Sequence, residues 1–222
     1  MHLYPADQHR VGATATPVTT PVRDWSVEDL PILGEPFAVE FANTLYDSGG
    51  EVIDFLGTIE LARLWFEHAP AAEGFVVPRR LSREDLSLVR EIRNAVHRVL
   101  VGCVDDSGVA ARDVEKLNGY ARTAPVFLQL QPSTAGTWQA SLSHTGRSVD
   151  SLVAGIVTRS ISFVGSDEFV LVRRCERTPC PMFFVQLHHR RRFCHDGCSH
   201  RQRQACYVRR QRLTTLDSKV LP

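Results

Sequence analysis

The 222-residue sequence lacks the features by which membrane-spanning and secreted proteins are recognised. No apolar run reaches the ~18–20 residues that a bilayer-crossing helix needs, so we expect no membrane partner. The N-terminus has no basic segment followed by a hydrophobic one, which predicts a protein that is not secreted. We therefore expect a cytoplasmic protein with reduced thiols, a state that favours metal binding over disulfides.

Familiar catalytic motifs are missing as well. The sequence contains no GxGxxG, P-loop, GxSxG or HExxH motif, and it has no internal repeat. The nine histidines are scattered or lie near the C-terminus, and the acidic residues show no spacing typical of an acid–base pair. We therefore predict that the protein is not an enzyme and has no catalytic residues.

Cysteine is concentrated in one stretch near the C-terminus. Cys175 and Cys180 are separated by four residues, and thirteen residues later Cys194 and Cys198 are separated by three. Two short cysteine pairs joined by a spacer are typical of tetrahedral thiolate sites, whose commonest ion is Zn²⁺. Four thiolates leave no open position for water, so we predict a structural zinc ion. An iron site, disulfides or unrelated cysteines are the alternatives.

The residues around these cysteines predict a hairpin followed by a helix. Strands are expected over residues 169–172 and 182–187, where β-branched and aromatic residues are frequent. Asp196 or Ser199 can cap a helix that runs to about Arg212. A hairpin and a helix start that each provide two thiolates form a treble-clef-like arrangement.

Charge is divided unevenly along the chain. Residues 173–212 contain eleven arginines, no lysine and two acids, a net charge of +9, whereas the remainder has fifteen basic and twenty-three acidic residues, a net charge of −8. This asymmetry predicts a nucleic-acid partner, because guanidinium groups bind phosphates and guanine edges. A solvated basic tail is the alternative. The expected nucleic-acid contacts are Arg190, Arg191, Arg192, Arg201, Arg203, Arg209, Arg210 and Arg212.

The preceding part of the chain predicts a mainly helical domain with one β-hairpin. Residues 1–27 are rich in Thr, Pro and Ala without apolar periodicity, which predicts a disordered or loosely attached arm. Alternating apolar residues around the turn at residues 132–136 predict the hairpin. Apolar periodicity predicts helices over about residues 36–45, 58–69, 82–101, 108–121 and 149–163.

Several single residues in this domain are assigned specific environments. Asn43 lies off the apolar stripe of the first helix and is the best candidate for a specific polar contact, either as a ligand-binding residue or in a hydrogen bond to a nearby loop backbone. Arg93 and His97 are assigned to a solvent-facing side of the third helix. Cys103 and Cys206 are expected to be packed residues rather than metal ligands.

Two motifs resemble those of a known family. Residues 30–45, LPILGEPFAVEFANTL, resemble an LDFVNT-like motif, which Phe41, Asn43 and Thr44 match. Residues 198–201, CSHR, resemble a CGNR signature in their Cys and Arg, with Ser-His in place of Gly-Asn. In this order the motifs are similar to those of proteins in which an ABATE domain precedes a CGNR zinc finger. The resemblance implies a bacterial, stress-related, DNA-binding transcription regulator.

Together these observations predict a mainly α, α+β protein, in which a helical N-terminal domain with one β-hairpin precedes a small treble-clef-like zinc finger. The predicted parts are an arm (1–27), an ABATE-like helical domain (28–166), a CGNR-like finger (167–213) and a tail (214–222). We predict DNA-binding transcription regulation, with the helical domain sensing a small-molecule effector or forming a homodimer. One alternative is an RNA- or ribosome-associated finger. The other is a small-molecule-binding or catalytic helical domain in which the zinc finger has only a structural role.

Overall fold

The computed structural model describes residues 25–47, 52–69, 77–123, 126–133, 136–144 and 148–220. Residues 1–24 of the predicted arm therefore lie outside the described residues. The described part is mainly helical, with three separate two-stranded antiparallel sheets, which confirms the predicted fold class. No helix within it is both long and apolar enough to cross a membrane.

Six α-helices and three short hairpins make up the described part, and α2, α3 and α4 follow one another without a hairpin between them. The α-helices are α1 (Phe37–Ala42), α2 (Ile59–His68), α3 (Arg83–Val104), α4 (Ala111–Thr123), α5 (Ser148–Val164) and α6 (Asp196–Val220). The strands are β1 (Leu45–Asp47), β2 (Val52–Asp54), β3 (Val126–Pro132), β4 (Trp138–His144), β5 (Val172–Arg174) and β6 (Phe183–Val185). Each odd-numbered strand pairs with the next strand along the chain.

Helix α1 is shorter than predicted. It ends at Ala42, and Leu45 lies in β1 opposite Asp54 instead of extending the apolar stripe of the helix. The Thr44 hydroxyl donates a 2.8 Å hydrogen bond to the carbonyl of Phe41. This side-chain bond satisfies a carbonyl at the helix end and thereby replaces a bond that a continuing helix would have made.

The predicted caps of the next two helices are confirmed. The Thr58 hydroxyl accepts a hydrogen bond from the Leu61 amide at the start of α2. Ser82 and Asp85 form a reciprocal capping box at the start of α3, with both bonds 3.0 Å long. Helix α3 continues to Val104, so Cys103 lies within it, and Cys103 is exposed rather than packed as predicted.

Arg93 lies inside the protein, so its assignment to an outer face was wrong. It is 1% exposed and binds Asp54 through two hydrogen bonds of 2.8 and 3.0 Å. Its Nη1 also donates to the Thr44 hydroxyl at 2.9 Å. Arg93 follows Val89 by four residues and precedes Val96 by three, which is the spacing of the buried face of a helix.

The main core joins the helical domain to the C-terminal strands. Its central side chains come from α1, α2, α3 and α5, and Val172, Phe183 and Val185 of β5 and β6 belong to the same cluster. A second, smaller core surrounds the four cysteines and includes Met182 and Phe184. The C-terminal module (residues 167–213) is thus packed on the helical domain, as the short connection between them predicts.

The predicted hairpin is confirmed as β3 and β4. The two strands pair in register from Val126 opposite His144 to Pro132 opposite Trp138. They contact α5, which follows them in the chain. The loop between the strands includes residues 134 and 135, which lie outside the described part.

Candidate metal centre and basic helix

Strands β5 and β6 bring the first cysteine pair together. The β5 strand begins at Val172, because residues 167–171 form a 3-10 helix where a strand was predicted from Phe169. Cys175 directly follows β5, and its amide donates to the carbonyl of Met182 at 2.9 Å. The Cys180 amide donates to the carbonyl of Arg177 at 2.7 Å, which closes the turn between them. Both sulfurs therefore lie at the closed end of the β5–β6 hairpin.

The second cysteine pair lies where α6 begins. The helix starts at Asp196, so Cys198 belongs to its first turn. His195, rather than Asp196 or Ser199 as predicted, provides the cap: its Nδ1 accepts from the Gly197 amide at 3.0 Å. A Cβ at Gly197 would lie 2.7 Å from the His195 ring, so this close cap requires glycine at that position.

The structure brings the four predicted cysteines into one buried cluster. Their sulfur atoms all lie within 4.8 Å of one another. The Cys180–Cys194, Cys194–Cys198 and Cys180–Cys198 sulfur distances are 3.8, 3.5 and 3.8 Å. A tetrahedral site with Zn–S bonds of about 2.3 Å has sulfur–sulfur edges of about 3.8 Å. The four free thiols therefore fit around one metal ion of that size.

The electrostatics of the cluster favour a bound cation. Hydrogen bonds from the thiols of Cys175, Cys180 and Cys194 hold the pKa of Cys198 well below its usual range. Contact with the Cys175, Cys180 and Cys198 sulfurs, together with burial, raises the pKa of Cys194. A bound metal ion would stabilise four thiolates together, whereas their mutual repulsion disfavours four thiolates without a cation.

Asn43 joins the helical domain to the cysteine module. It is fully buried, and its Nδ2 donates to the carbonyl of Phe183 at 2.9 Å. Its Oδ1 accepts from the Phe183 amide at 2.8 Å. The side chain thus pairs with β6 as a neighbouring strand would. The prediction of a hydrogen bond to a nearby loop was wrong about the partner. Asn43 bonds instead to a strand 140 residues away.

Glu35 makes a second connection to the same strand, one that the sequence analysis missed. Its Oε2 accepts from the Val185 amide at 2.8 Å, and its Oε1 accepts from Arg191 at 2.6 Å. Arg191 also donates to the carbonyl of Cys194 at 2.7 Å and lies over the Phe184 ring, 4.6 Å from its centroid. The guanidinium of Arg191 is therefore bound within the protein, next to the cysteine cluster.

A third connection surrounds Cys198. Arg201, one turn further along α6, donates to the Cys198 sulfur at 3.7 Å and interacts with the Tyr46 hydroxyl. The Tyr46 ring stacks on His195 with centroids 5.9 Å apart. Arg201 is thus turned toward the cluster, where its charge stabilises a thiolate.

The remaining predicted nucleic-acid contacts differ in accessibility. Arg190 and Arg203 are exposed, and Arg192 is exposed but pairs with Glu176 at 2.7 Å. The side chains of Arg209, Arg210 and Arg212 lie outside the described part, although their backbone belongs to α6.

Helix α6 has no buried face along its middle. Residues 203–208 are consecutive and all exposed, so the helix does not pack on the body of the protein there. Cys206 is among them, so its predicted packing was wrong. The helix runs beyond Arg212 to Val220 and includes most of the predicted tail.

Comparison with known families identifies the helical domain. Residues 35–167 match the ABATE family, described as "Putative stress-induced transcription regulator". The chain belongs to the ABATE family. The match covers 133 of its 222 residues and extends from the residue before Pro36 to the end of α5 and just beyond. Glu35 and Asn43, which bind β6, are thus part of the ABATE domain. A search of curated proteins found no match.

Proposed function

We propose that this ABATE-family protein is a DNA-binding transcription regulator whose α6 helix contacts the duplex. The family description supports regulation of transcription. The observation that carries the DNA-binding part is an exposed, arginine-bearing helix whose first turn contains a residue of the cysteine cluster. A helix fixed at one end by a buried cluster can be presented to DNA without packing on the protein.

The proposed metal is Zn²⁺, held by Cys175, Cys180, Cys194 and Cys198 as in a CGNR-type zinc finger. When bound, the ion supplies structure and no catalysis, because four thiolates fill its coordination shell. Arg201 stabilises the Cys198 thiolate, and Arg191 ties the Cys194 backbone to Glu35. These protein groups orient the start of α6 relative to the ABATE domain.

The proposed DNA contacts are fewer than the eight arginines that the sequence predicts. Arg191 and Arg201 are engaged inside the module, and Arg192 is paired with Glu176. Arg203 and Arg210 are seven residues apart, so they fall on the same side of α6. The proposed contacts are Arg190, Arg203, Arg209, Arg210 and Arg212.

The proposal also includes a bacterial cytoplasmic location and no enzymatic step. Reduced thiols in that compartment suit a zinc-binding cluster. The ABATE domain is assigned the sensing or pairing role, because Asn43 and Glu35 connect it to the strand that carries the cluster. A change in that domain would therefore reach the DNA-binding helix through β6.

A titration of labelled duplex DNA at several salt concentrations tests the proposal. We expect affinity to fall by about 0.9 log units per log unit of salt for each phosphate contacted. Arg203→Gln with Arg210→Gln should weaken binding and reduce this salt slope by roughly two phosphates. The Arg122 control, Arg122→Gln with Arg112→Gln, is matched because it removes the same two positive charges from exposed positions on α4.

Three results would contradict the proposal. Duplex DNA that does not bind, or binds without a salt slope, removes the DNA-binding role. Equal weakening by the Arg122 control shows that only overall charge matters. Structured RNA that competes better than duplex DNA favours an RNA-binding role for the same helix.

A further inference from the structure

The β3–β4 hairpin carries an exposed apolar face. Leu128, Leu130 and Trp138 are 70, 73 and 71% exposed, so most of the surface of each side chain makes no contact with the rest of the described structure. Pro132 lies opposite Trp138 and Leu130 lies opposite Ala140, and residues directly opposite in an antiparallel pair share a face. These three side chains therefore lie on one side of the hairpin, whereas Phe127, which is 44% exposed, lies on the other.

The hairpin also lacks charged residues, one of the features that keep strand edges apart, although Pro132 lies at the end of β3. Its strands form a sheet of only two, so in the described structure each has one edge without a strand neighbour. Residues 126–143 contain no Asp, Glu, Lys or Arg. Soluble proteins usually protect such edges with charged residues, proline or a covering element. The outward face of the described strands is therefore open to association.

We propose that this face joins two copies of the chain, hairpin against hairpin, about a twofold axis. In such an interface residue i of one copy contacts residue j of the other, and a charged residue near the axis would face its own like charge. The uncharged composition of residues 126–143 avoids that repulsion. It also disfavours a partner that binds through charge, such as a nucleic acid or an acidic peptide.

The available area agrees with a dimer of this kind. Leu128, Leu130 and Trp138 together expose roughly 400 Å² of apolar surface, which lies within the range of the largest apolar patches on monomers, and such patches are often functional. A standard interface takes about 800 Å² from each partner, and residues that surround these three on the same face can supply the rest. The inference does not depend on the proposed DNA binding, since the hairpin is a different part of the molecule from α6.

Sedimentation velocity of the full chain over a wide concentration range tests this dimer. We expect a monomer–dimer equilibrium, and Leu128→Lys with Leu130→Lys should raise the dissociation constant roughly 100-fold or more, because each change acts twice across a twofold axis. Gln129→Lys with Gln131→Lys adds the same charges to the opposite face of the same strand and should leave the dimer intact. In the wild type, dilution should shift Trp138 fluorescence to the red, and Trp138→Phe should abolish that shift.

Each contrary outcome overturns the inference. A wild-type chain that is monomeric at every concentration has no such interface. Persistence of the dimer in the leucine variant places the contact elsewhere, and equal disruption by the glutamine control removes the assignment to this face. If the leucine variant does not fold, the test is the change in the fluorescence spectrum on dilution, compared between the wild type and Trp138→Phe. A wild-type spectrum that does not change on dilution contradicts the dimer.

Discussion

Asn43 and Phe183 are joined by two hydrogen bonds although 140 residues separate them in the chain. One bond satisfies the amide of Phe183 and the other satisfies its carbonyl. The edge of β6 that faces away from β5 is thus covered by side chains of the ABATE domain, since Glu35 binds the amide of Val185 on the same strand. The cysteine cluster is built on a strand that this domain holds in place.

The first prediction concerns Asn43. Asn43→Ala leaves a buried amide and a buried carbonyl of Phe183 without partners, so we expect the free energy of unfolding to fall by about 2–4 kcal/mol. Urea denaturation followed by circular dichroism measures this change. Asn118→Ala, a partly exposed asparagine on α4, is the control and should cost far less. Equal stability of the Asn43 variant and the wild type would show that β6 does not need this contact.

A second prediction concerns the metal. Cys180→Ser or Cys194→Ser should release about one zinc ion per chain, because each removes one of four ligands from a closed site. Cys206→Ser should leave the metal content unchanged, since Cys206 is exposed on α6 away from the cluster. Elemental analysis of the purified protein provides the measurement, and a metal-free wild type would contradict the site.

Loss of the metal should also destabilise the ABATE domain. Phe183 and Val185 belong to the main core, so disordering the cysteine hairpin removes buried contacts from α1 and α3. We expect hydrogen exchange of α1 to accelerate when zinc is chelated. Unchanged exchange of α1 with faster exchange of β6 would mean that the two parts unfold independently.

The third prediction separates two arginines of the C-terminal module. Arg191→Gln should lower the free energy of unfolding by about 3 kcal/mol, because it leaves the buried Glu35 carboxylate without its ionic partner. Arg203→Gln should leave stability within about 0.5 kcal/mol of wild type, because Arg203 is exposed, and should weaken DNA binding instead. Thermal unfolding and DNA titration of both variants are required. The reverse pattern would exchange the roles of the two residues.

A fourth prediction concerns pH. Burial raises the pKa of Glu40 to about 7, despite hydrogen bonds from the amides of Glu35 and Leu33 that act in the opposite direction. Its Oε2 has no hydrogen-bond partner among the described residues. The unfolded chain releases this proton near its ordinary value of 4.5, so the folded state binds the extra proton between about pH 4.5 and 7. This contribution to stability is therefore lost as the pH rises through that interval.

Glu40→Gln should remove this pH dependence. The free energy of unfolding of the variant, relative to wild type, should increase by about 2 kcal/mol between pH 5 and pH 8. Burial lowers the pKa of His97 to about 4, which gives the opposite pH dependence, but that effect is common to both proteins and cancels in the comparison. Glu60→Gln, an exposed change on α2, is the control. A constant difference across this pH range would contradict the assignment.

Local signals in the sequence were sufficient for the elements with strong patterns. Thr58 and Ser82 mark helix starts because a side-chain oxygen must satisfy free amides, and cysteine spacing identifies the cluster because ligands must converge. The polar residues that connect distant parts gave no such signal. Glu35 and Asn43 bind a strand about 150 residues away, and nothing near them in the sequence indicates that partner.

Arg93 is a different case, because a signal was present. Its position continues the three- and four-residue spacing of Val89 and Val96, but its charge favoured an outer face. Burial is possible because Asp54 and Thr44 accept three hydrogen bonds from its guanidinium. A charged residue on an apolar stripe is thus a candidate for a buried ion pair.

Helix α6 is attached to the body of the protein at its N-terminal end. Its 25 residues span ~37 Å, and the attachment consists of the first two turns, where Cys198 belongs to the cysteine cluster and Arg201 interacts with Tyr46. A rotation of about 10° about this attachment would move the backbone at Arg212, about 24 Å along the helix, through roughly 4 Å, close to the 3.4 Å base-pair step of a duplex strand. Under the proposed DNA binding, repacking around Tyr46 would therefore shift the helix positions of the distal arginines by about one base-pair step.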